Sequence, residues 1–393
     1  MKRKKKKQMK RASRSPSRIP KRRPKKAKRP RYRRSPFVII YWRNRQLVFE
    51  NFLTHRQVTA QPLTASLLDF FDQWRSVADL CAVLPQYAPA SLQRAVEQLV
   101  RHSLLHRSDR PLPTGHVALA AWSEWNPAAG FFHLSTKDLR FADDDAKEFR
   151  SLVRHAKSNP IPLPIKRYRN AEQVPLANPC ADSGFARVLL QRRTWRKFSA
   201  EPVVLSALGN ILGLTFGVRH WAKLPKIGSV AVKTSPSGGA LHPIEAYVLA
   251  RNVDGLASGF YHYDAANHRL ELLKKGATSR DITRLLANQW WYGPAGFVVF
   301  LTAVFERTRW KYDYARAYRA VLIEAGHLCQ TFCLTATSMG LAPFCTMAFA
   351  DSKIEKMLGL DGISESALYV AGAGVRPETG GKMANILSGF AAE

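Results

Sequence analysis

The sequence predicts an α+β fold in which helices flank a mostly antiparallel sheet, preceded by a small winged-helix-like domain and a disordered basic tail. Three observations support this prediction. Helical and strand patterns alternate from about residue 182 onwards. Residues 37–106 show patterns for strands and three helices. Residues 1–35 contain 20 of the 61 lysines and arginines and no acidic residue. At roughly 150 residues per domain, the 393 residues allow two or three domains.

The composition excludes several classes of protein. Hydrophobic residues make up 46% and charged residues 23%, so collagen-like and wholly disordered chains are excluded. Five cysteines without a CxxC pair favour reduced thiols and a cytoplasmic protein. The longest apolar run, 297–305, is too short to cross a membrane, and no apolar segment follows the basic N-terminus as it does in a signal peptide.

Residues 1–35 are predicted to form a disordered tail. Lysines, arginines and prolines offer too little apolar surface to offset the entropy lost on ordering. Such a tail can contact nucleic acid non-specifically, or it can be a solvated extension without a partner. No more specific role for nucleic acid is expected from it.

Residues 36–112 are predicted to form a winged-helix-like module. The predicted elements are strands at 37–42 and 46–49, helices at 66–74, 77–84 and 89–102, and a strand at 104–106. The third helix of such a module can enter the major groove of DNA. Here it carries few basic or amide side chains, which favours a peptide or protein partner over DNA.

Residues 113–180 are predicted to be a helical connector followed by an extended, proline-rich linker over 155–180, and residues 181–393 to be the main domain. Its predicted helices are 184–191, 206–214 and 318–339, and its predicted strands are 245–251, 259–263, 269–273, 296–305 and 367–371. The continuous apolar strand 296–305 is typical of a sheet covered on both faces. Gly340 is predicted to end the longest helix.

Three clusters in the main domain suggest chemistry. Arg192, Arg193, Thr194 and Arg196 could hold a phosphate, or could be a solvated basic helix end. The segment Pro236-Ser237-Gly238-Gly239 would let backbone approach a flat or charged ligand, or could be an ordinary turn. Lys311 and Tyr312 could supply a base if the lysine is partly desolvated, or could be a surface lysine beside an aromatic ring.

Cys329 and Cys333, with His327, raise the possibility of a metal site. The two cysteines are four residues apart on the apolar face of the predicted long helix. No further ligand stands at a suitable spacing in the sequence, and free cysteine packs as a small hydrophobe. We therefore expect core packing and no metal.

Taken together, the main-domain motifs resemble those of the nitroreductase-like flavoproteins, and in particular the SagB/ThcOx-type azoline dehydrogenases, a group of peptide maturation dehydrogenases. The similar segments are QRRTWRKFS at 191–199, SPSGGALHP with the following strands at 235–273, FERTRWKYDYARAYRAVLIEAGHL at 305–328, and MGLAPFCTMAF at 339–349. The 235–273 segment is the most specific of them. Thr194 stands where the family usually has serine, and Cys345-Thr346-Met347 departs from its Pro-Ile-Gly type of loop.

The resemblance implies FMN bound at a homodimer interface. It assigns the FMN phosphate and ribityl chain to Arg192, Arg193, Thr194 and Arg196, and the flavin lining to Pro236, Ser237, Gly238 and Gly239. Backbone near Met347 and Ala348 would approach the ring edge, and Arg376 or Lys382 would add charge for the phosphate. Lys311 and Tyr312 match the pair that assists proton removal in this family.

The resemblance further implies an FMN-dependent dehydrogenase that oxidises thiazoline or oxazoline rings to azoles in a ribosomally made peptide. A base would take the proton and the flavin the hydride. The precursor peptide and a cyclodehydratase are the expected partners. Two alternatives remain: a generic NAD(P)H-dependent nitroreductase or flavin reductase, and a non-catalytic protein that binds nucleic acid or partner enzymes.

Overall fold

The computed structural model describes residues 29–138, 145–159, 175–176, 183–226 and 228–378, with backbone only for 145–149. The described residues do not include Lys382, most of the predicted basic tail or most of the predicted proline-rich linker.

The described strands and helices follow one another through two domains and a connector. The strands are β1 (Tyr32–Arg34), β2 (Val38–Arg43), β3 (Gln46–Asn51), β4 (Arg56–Thr59), β5 (Leu105–Arg107), β6 (Val203–Val204), β7 (His220–Leu224), β8 (Gly228–Val232), β9 (Ile244–Ala250), β10 (Val253–Asp254), β11 (Gly259–Asp264), β12 (Arg269–Lys275), β13 (Phe297–Val304), β14 (Leu341–Thr346) and β15 (Glu365–Val375). The helices are α1 (Leu63–Phe70), α2 (Val77–Val83), α3 (Pro89–Arg101), α4 (His116–Ala120), α5 (Ala128–Ser135), α6 (Asp145–Ser158), α7 (Gly184–Gln191), α8 (Leu205–Phe216), α9 (Ser279–Leu285), α10 (Phe305–Arg309), α11 (Ala317–Ser338) and α12 (Asp351–Leu358).

The N-terminal module packs α1, α2 and α3 with its strands around a core of its own. Ser76 and Asp79 form a capping box that begins α2, which satisfies amides left open at the first turn. The predicted tail boundary at residue 35 needs correction, because β1 pairs antiparallel with β5 and Tyr32 is buried. The basic composition of the tail obscured this short strand, whose pairing depends on β5, far along the chain.

The connector packs on the main domain. Trp122 and Trp125 are fully buried beside Phe305 and Tyr318 of that domain. Two side chains of the N-terminal module, Phe37 and Phe52, belong to the same core. The predicted extended linker also needs correction at its start, because residues 155–158 are the last turn of α6.

The main domain is built on a six-stranded antiparallel sheet in the order β12-β11-β9-β13-β15-β14. Residues on opposite faces of the central strand β13 belong to two separate cores, as the continuous apolar run predicts. Helices α8 and α11 contribute to one core, and α9 and α12 contribute to the other. The predicted α+β class with a mostly antiparallel sheet is confirmed.

The long helix α11 runs across one face of this sheet. Gly340 follows its end with φ +75°, a conformation that suits glycine, so the predicted stop is confirmed. Among the described helices, none combines the length and the apolar character that a bilayer crossing needs.

Candidate active site

Lys311 and Tyr312 lie directly over the glycine pair of the 236–239 segment. Gly239 has φ +68°, and a Cβ built there would stand 2.9 Å from both Lys311 Nζ and Tyr312 Oη. Lys311 Nζ is also 5.4 Å from the centre of the Tyr312 ring. The structure therefore brings together two motifs that the sequence presents separately, and the positive φ of Gly239 is a backbone conformation that suits glycine.

Two hydrogen-bonded anchors hold the lysine–tyrosine segment. The Tyr312 amide donates to the Thr308 carbonyl at 3.0 Å, which continues the last turn of α10. The indole Nε1 of Trp125 donates to the Tyr312 carbonyl at 2.9 Å. Because Trp125 is buried, the connector fixes this backbone position from a distant part of the chain.

The glycine loop is anchored to α11 by a buried carboxylate. Glu324 is only 5% exposed, and it accepts hydrogen bonds from the Ser237 hydroxyl and the Gly238 amide. Burial raises the pKa of Glu324, and the two hydrogen bonds oppose that rise. A third hydrogen bond joins Ser235 Oγ to Thr331 Oγ1 at 2.8 Å, so the loop is bonded to α11 on both sides of the exposed Pro236.

The arginine segment is held against the edge strand β14. The Trp195 amide donates to the Pro343 carbonyl at 2.9 Å. The Arg193 guanidinium lies 4.0 Å from the centre of the Trp195 ring, and the Arg376 guanidinium lies 5.6 Å from it. Arg376 also donates from Nε to Leu341 O at 2.8 Å and from Nη2 to Thr337 O at 3.1 Å. Arg376 thus donates to backbone carbonyls at the end of α11 and at the start of β14, so only its remaining donors are available for the predicted phosphate role.

The buried Nε of Arg196 favours an anionic ligand at this segment. Its Nε is buried without a hydrogen-bond partner in the described residues, while its guanidinium lies near the Tyr292 hydroxyl. Arg192 and Arg196 make no ion pair with a carboxylate in the described ranges. Half-buried Thr194 lies between them in the chain. A buried donor without a partner is costly, so a phosphate with several acceptor oxygens fits this segment.

Met347 and Ala348 directly follow the end of β14. The Ala348 amide donates to Thr346 Oγ1 at 3.0 Å, and its carbonyl accepts from Gln289 Nε2 at 2.6 Å. Both backbone groups of Ala348 are therefore already engaged within the chain, so the predicted backbone approach to a flavin would fall to Met347. Met347 is 69% exposed, and both residues line a cavity of about 350 Å³ together with His133 and Tyr318.

The predicted site residues thus form three groups in one chain. The first joins Lys311 and Tyr312 to the 236–239 loop, the second joins the arginines around Trp195, and the third is Met347 with Ala348. Helix α11 and strand β14 connect the groups.

Two residues of this site were not predicted. Glu324 offered a signal, since it is the acid among apolar positions on the buried face of α11. Trp125 offered none, because its partner Tyr312 lies 187 positions further along the chain.

Comparison with known proteins agrees with this architecture. Residues 189–375 match the sequence profile of the nitroreductase family. A protein named as a nitroreductase from Methanocaldococcus jannaschii is 32% identical over 44% of this chain and 82% of its own. The chain belongs to the nitroreductase family.

Two other relatives of this chain have names that describe peptide processing. The trifolitoxin-processing protein TfxB of Rhizobium leguminosarum bv. trifolii is 35% identical over 79% of this chain and 87% of its own. The microcin B17-processing protein McbC of Escherichia coli is 32% identical over 37% of this chain and 55% of its own. The family prediction made from the motifs is confirmed, and the match to TfxB extends well beyond the nitroreductase domain.

Proposed function

We propose that this nitroreductase-family protein is an FMN-dependent dehydrogenase that oxidises azoline rings to azoles in a ribosomally made peptide. The observation that carries the proposal is the convergence of Lys311 and Tyr312 on Gly239. A flavin reductase needs only a hydride donor and acceptor, whereas ring oxidation also needs a group that removes a proton. The trifolitoxin- and microcin-processing relatives support a peptide as the substrate.

The chain's own residues have distinct tasks in this proposal. Arg192, Arg193 and Arg196 hold the FMN phosphate, with Thr194 and the remaining donors of Arg376 beside them. Residues 236–239 line the flavin, and Met347 contacts its edge. FMN supplies the hydride acceptor that no side chain can provide.

Lys311 accepts the ring proton in this proposal, and Tyr312 orients it. Lys311 is exposed and Tyr312 is half-buried, so a peptide can reach the lysine. In this proposal the bound FMN and peptide cover Lys311 and supply the partial desolvation that a lysine needs to act as a base. Trp125 and Glu324 fix the two backbones that carry this arrangement. A proton acceptor placed in this way is typically worth about 10²–10⁴-fold in rate.

We also propose the partners and the compartment. The precursor peptide is the substrate, a cyclodehydratase supplies its azoline rings, and the reaction takes place in the cytoplasm. A homodimer completes the FMN site, which is supported by exposed apolar side chains on α7 and α11, namely Phe185, Leu190 and Ile323. Light scattering of the FMN-loaded chain tests this arrangement, and a monomer would contradict it.

A peptide assay tests the proposed reaction. The FMN-loaded full chain is incubated in air with a thiazoline-containing peptide, and mass spectrometry follows the loss of two hydrogens. We expect turnover by the native chain, its loss by at least about 100-fold in Lys311→Met, and no change in Lys274→Met, a matched control at an exposed lysine of β12.

The relative named as a nitroreductase favours one rival function. A generic nitroreductase would oxidise NAD(P)H rapidly with a nitroaromatic acceptor and leave the azoline peptide unchanged. That combined result would overturn the proposal.

A further inference from the structure

Three cysteine sulfurs meet between α11 and the edge strand β14. The Sγ atoms of Cys329, Cys333 and Cys345 all lie within 4.8 Å of one another. Cys329 and Cys333 are buried on α11, and Cys345 is half-buried near the end of β14. The sequence offered the first two with His327, but His327 is exposed and is not part of this cluster. The third cysteine comes from a strand that the sequence did not predict.

We propose that these three cysteines bind one thiophilic cation, Zn(II) or Cu(I). Two sulfurs that share a zinc ion at about 2.3 Å each can be at most about 4.6 Å apart. Sulfurs within 4.8 Å need only small side-chain movements to reach that limit. Purely sulfur donors select soft or borderline cations over magnesium or calcium.

The surroundings of Cys345 suit an anionic metal cluster. The Tyr369 hydroxyl donates to Cys345 Sγ at 3.6 Å, and the sulfurs of Cys329 and Cys333 face it. A hydrogen-bond donor to a ligand atom and the nearby positive charge of Arg192 both stabilise thiolates bound to a cation.

Cation binding would release the thiol protons that remain on the cluster. Three thiolates and Zn(II) carry a net charge of −1, which the Arg192 guanidinium can balance. Because Cys345 is half-buried, a cation can reach the cluster from the surface. A bound cation would tie α11 to β14 and so stabilise the main domain.

Metal binding to the full chain tests this site. The reduced protein is purified without air, its metal content is measured by mass spectrometry, and Zn(II) or Cu(I) is then added against a competing chelator. We expect one cation per chain, and with Co(II) as a probe the near-ultraviolet charge-transfer bands of cobalt–thiolate bonds. The metal that binds more tightly shows whether the site prefers zinc or copper. A metal-to-protein ratio near zero with both metals would overturn the proposal.

Single substitutions identify the ligands. Cys333→Ser and Cys345→Ser are each expected to weaken binding at least about 100-fold. Cys81→Ser is the control, since Cys81 lies in the N-terminal module outside the cluster. Unchanged affinity in Cys345→Ser would contradict the site.

A second measurement does not depend on the folding of a variant. The native chain, with and without added metal, is treated with a maleimide, and the labelled cysteines are mapped. We expect metal to slow the labelling of Cys345 at least 10-fold and to leave Cys81 unchanged. Equal labelling of Cys345 in both samples would also contradict the site.

Discussion

The indole nitrogen of Trp125 donates a 2.9 Å hydrogen bond to the backbone carbonyl of Tyr312. This bond connects the segment between the two domains to the residue pair on which the proposed chemistry depends. The connector therefore supports the proposed active site as well as linking the two domains.

The Trp125 contact predicts a specific effect on turnover. Trp125→Phe keeps a large ring but removes the donor, so the Lys311–Tyr312 segment loses one anchor. We expect peptide oxidation to slow about 3- to 10-fold, the rate equivalent of one ordinary hydrogen bond, with FMN content unchanged. Trp122→Phe is a matched control, because the Trp122 indole donates to Ile363 O at 3.3 Å, away from Lys311. Equal slowing in both variants would mean a general packing effect.

The close approach of Gly239 to Lys311 predicts a combined defect in Gly239→Ala. The positive φ should cost about 1–2 kcal/mol of folding free energy, and the added Cβ should displace Lys311 Nζ and slow turnover. Gly276→Ala is the control, since Gly276 has φ +79° but a Cβ added there would meet no atom within 4 Å. Thermal unfolding should show similar losses for both, while only Gly239→Ala should lose activity. Full activity in Gly239→Ala would contradict the described geometry.

Arg196 is predicted to help retain FMN, because its buried Nε has no hydrogen-bond partner among the described residues. Arg196→Met should weaken FMN binding about 10- to 100-fold, the typical contribution of a charge-assisted hydrogen bond. Lys197→Met removes an exposed charge from the next position and should leave binding nearly unchanged. Fluorescence titration of the flavin-free chain measures both. Similar weakening in the two variants would indicate a diffuse charge effect instead of a specific contact.

His262 predicts a pH-dependent part of the stability. Its Nε2 lies 3.1 Å from Glu245 Oε2 and its Nδ1 lies 2.9 Å from Glu271 Oε2. The hydrogen bond to Glu245, followed by that to Glu271, raises the pKa of His262 to about 9. Because the folded state holds this proton more tightly, the stabilisation is complete below about pH 6.5 and is lost as the pH rises through about 9.

The His262 effect is measured by comparison with His262→Gln. The difference in unfolding free energy between the two chains should shrink by about 1–3 kcal/mol between pH 6 and pH 10. Denaturant unfolding across this range gives that difference directly. If the difference in unfolding free energy stays constant with pH, folding does not raise the pKa of His262.

The sheet illustrates what the sequence can predict. The apolar run of β13 identified a strand buried on both faces. The strands predicted at 259–263 and 269–273 correspond to β11 and β12, which pair antiparallel. Strand β14 escaped prediction because Pro343 interrupts its apolar pattern. Proline lacks an amide donor and is tolerated at the edge of a sheet, which is where β14 lies.

The candidate site could likewise be predicted only in part. The glycine pair and the lysine–tyrosine pair were each visible as local motifs, but their contact across Gly239 depends on the fold. The roles of Trp125 and Cys345 depend on partners distant in sequence, so local patterns carry no sign of them.

We propose that this chain binds FMN and uses it on a peptide. The most direct measurement is the visible absorption spectrum of the purified full chain, with the released chromophore identified by chromatography. We expect a flavin spectrum and FMN at close to one per chain. A colourless protein that cannot be reconstituted with added FMN would contradict the claim.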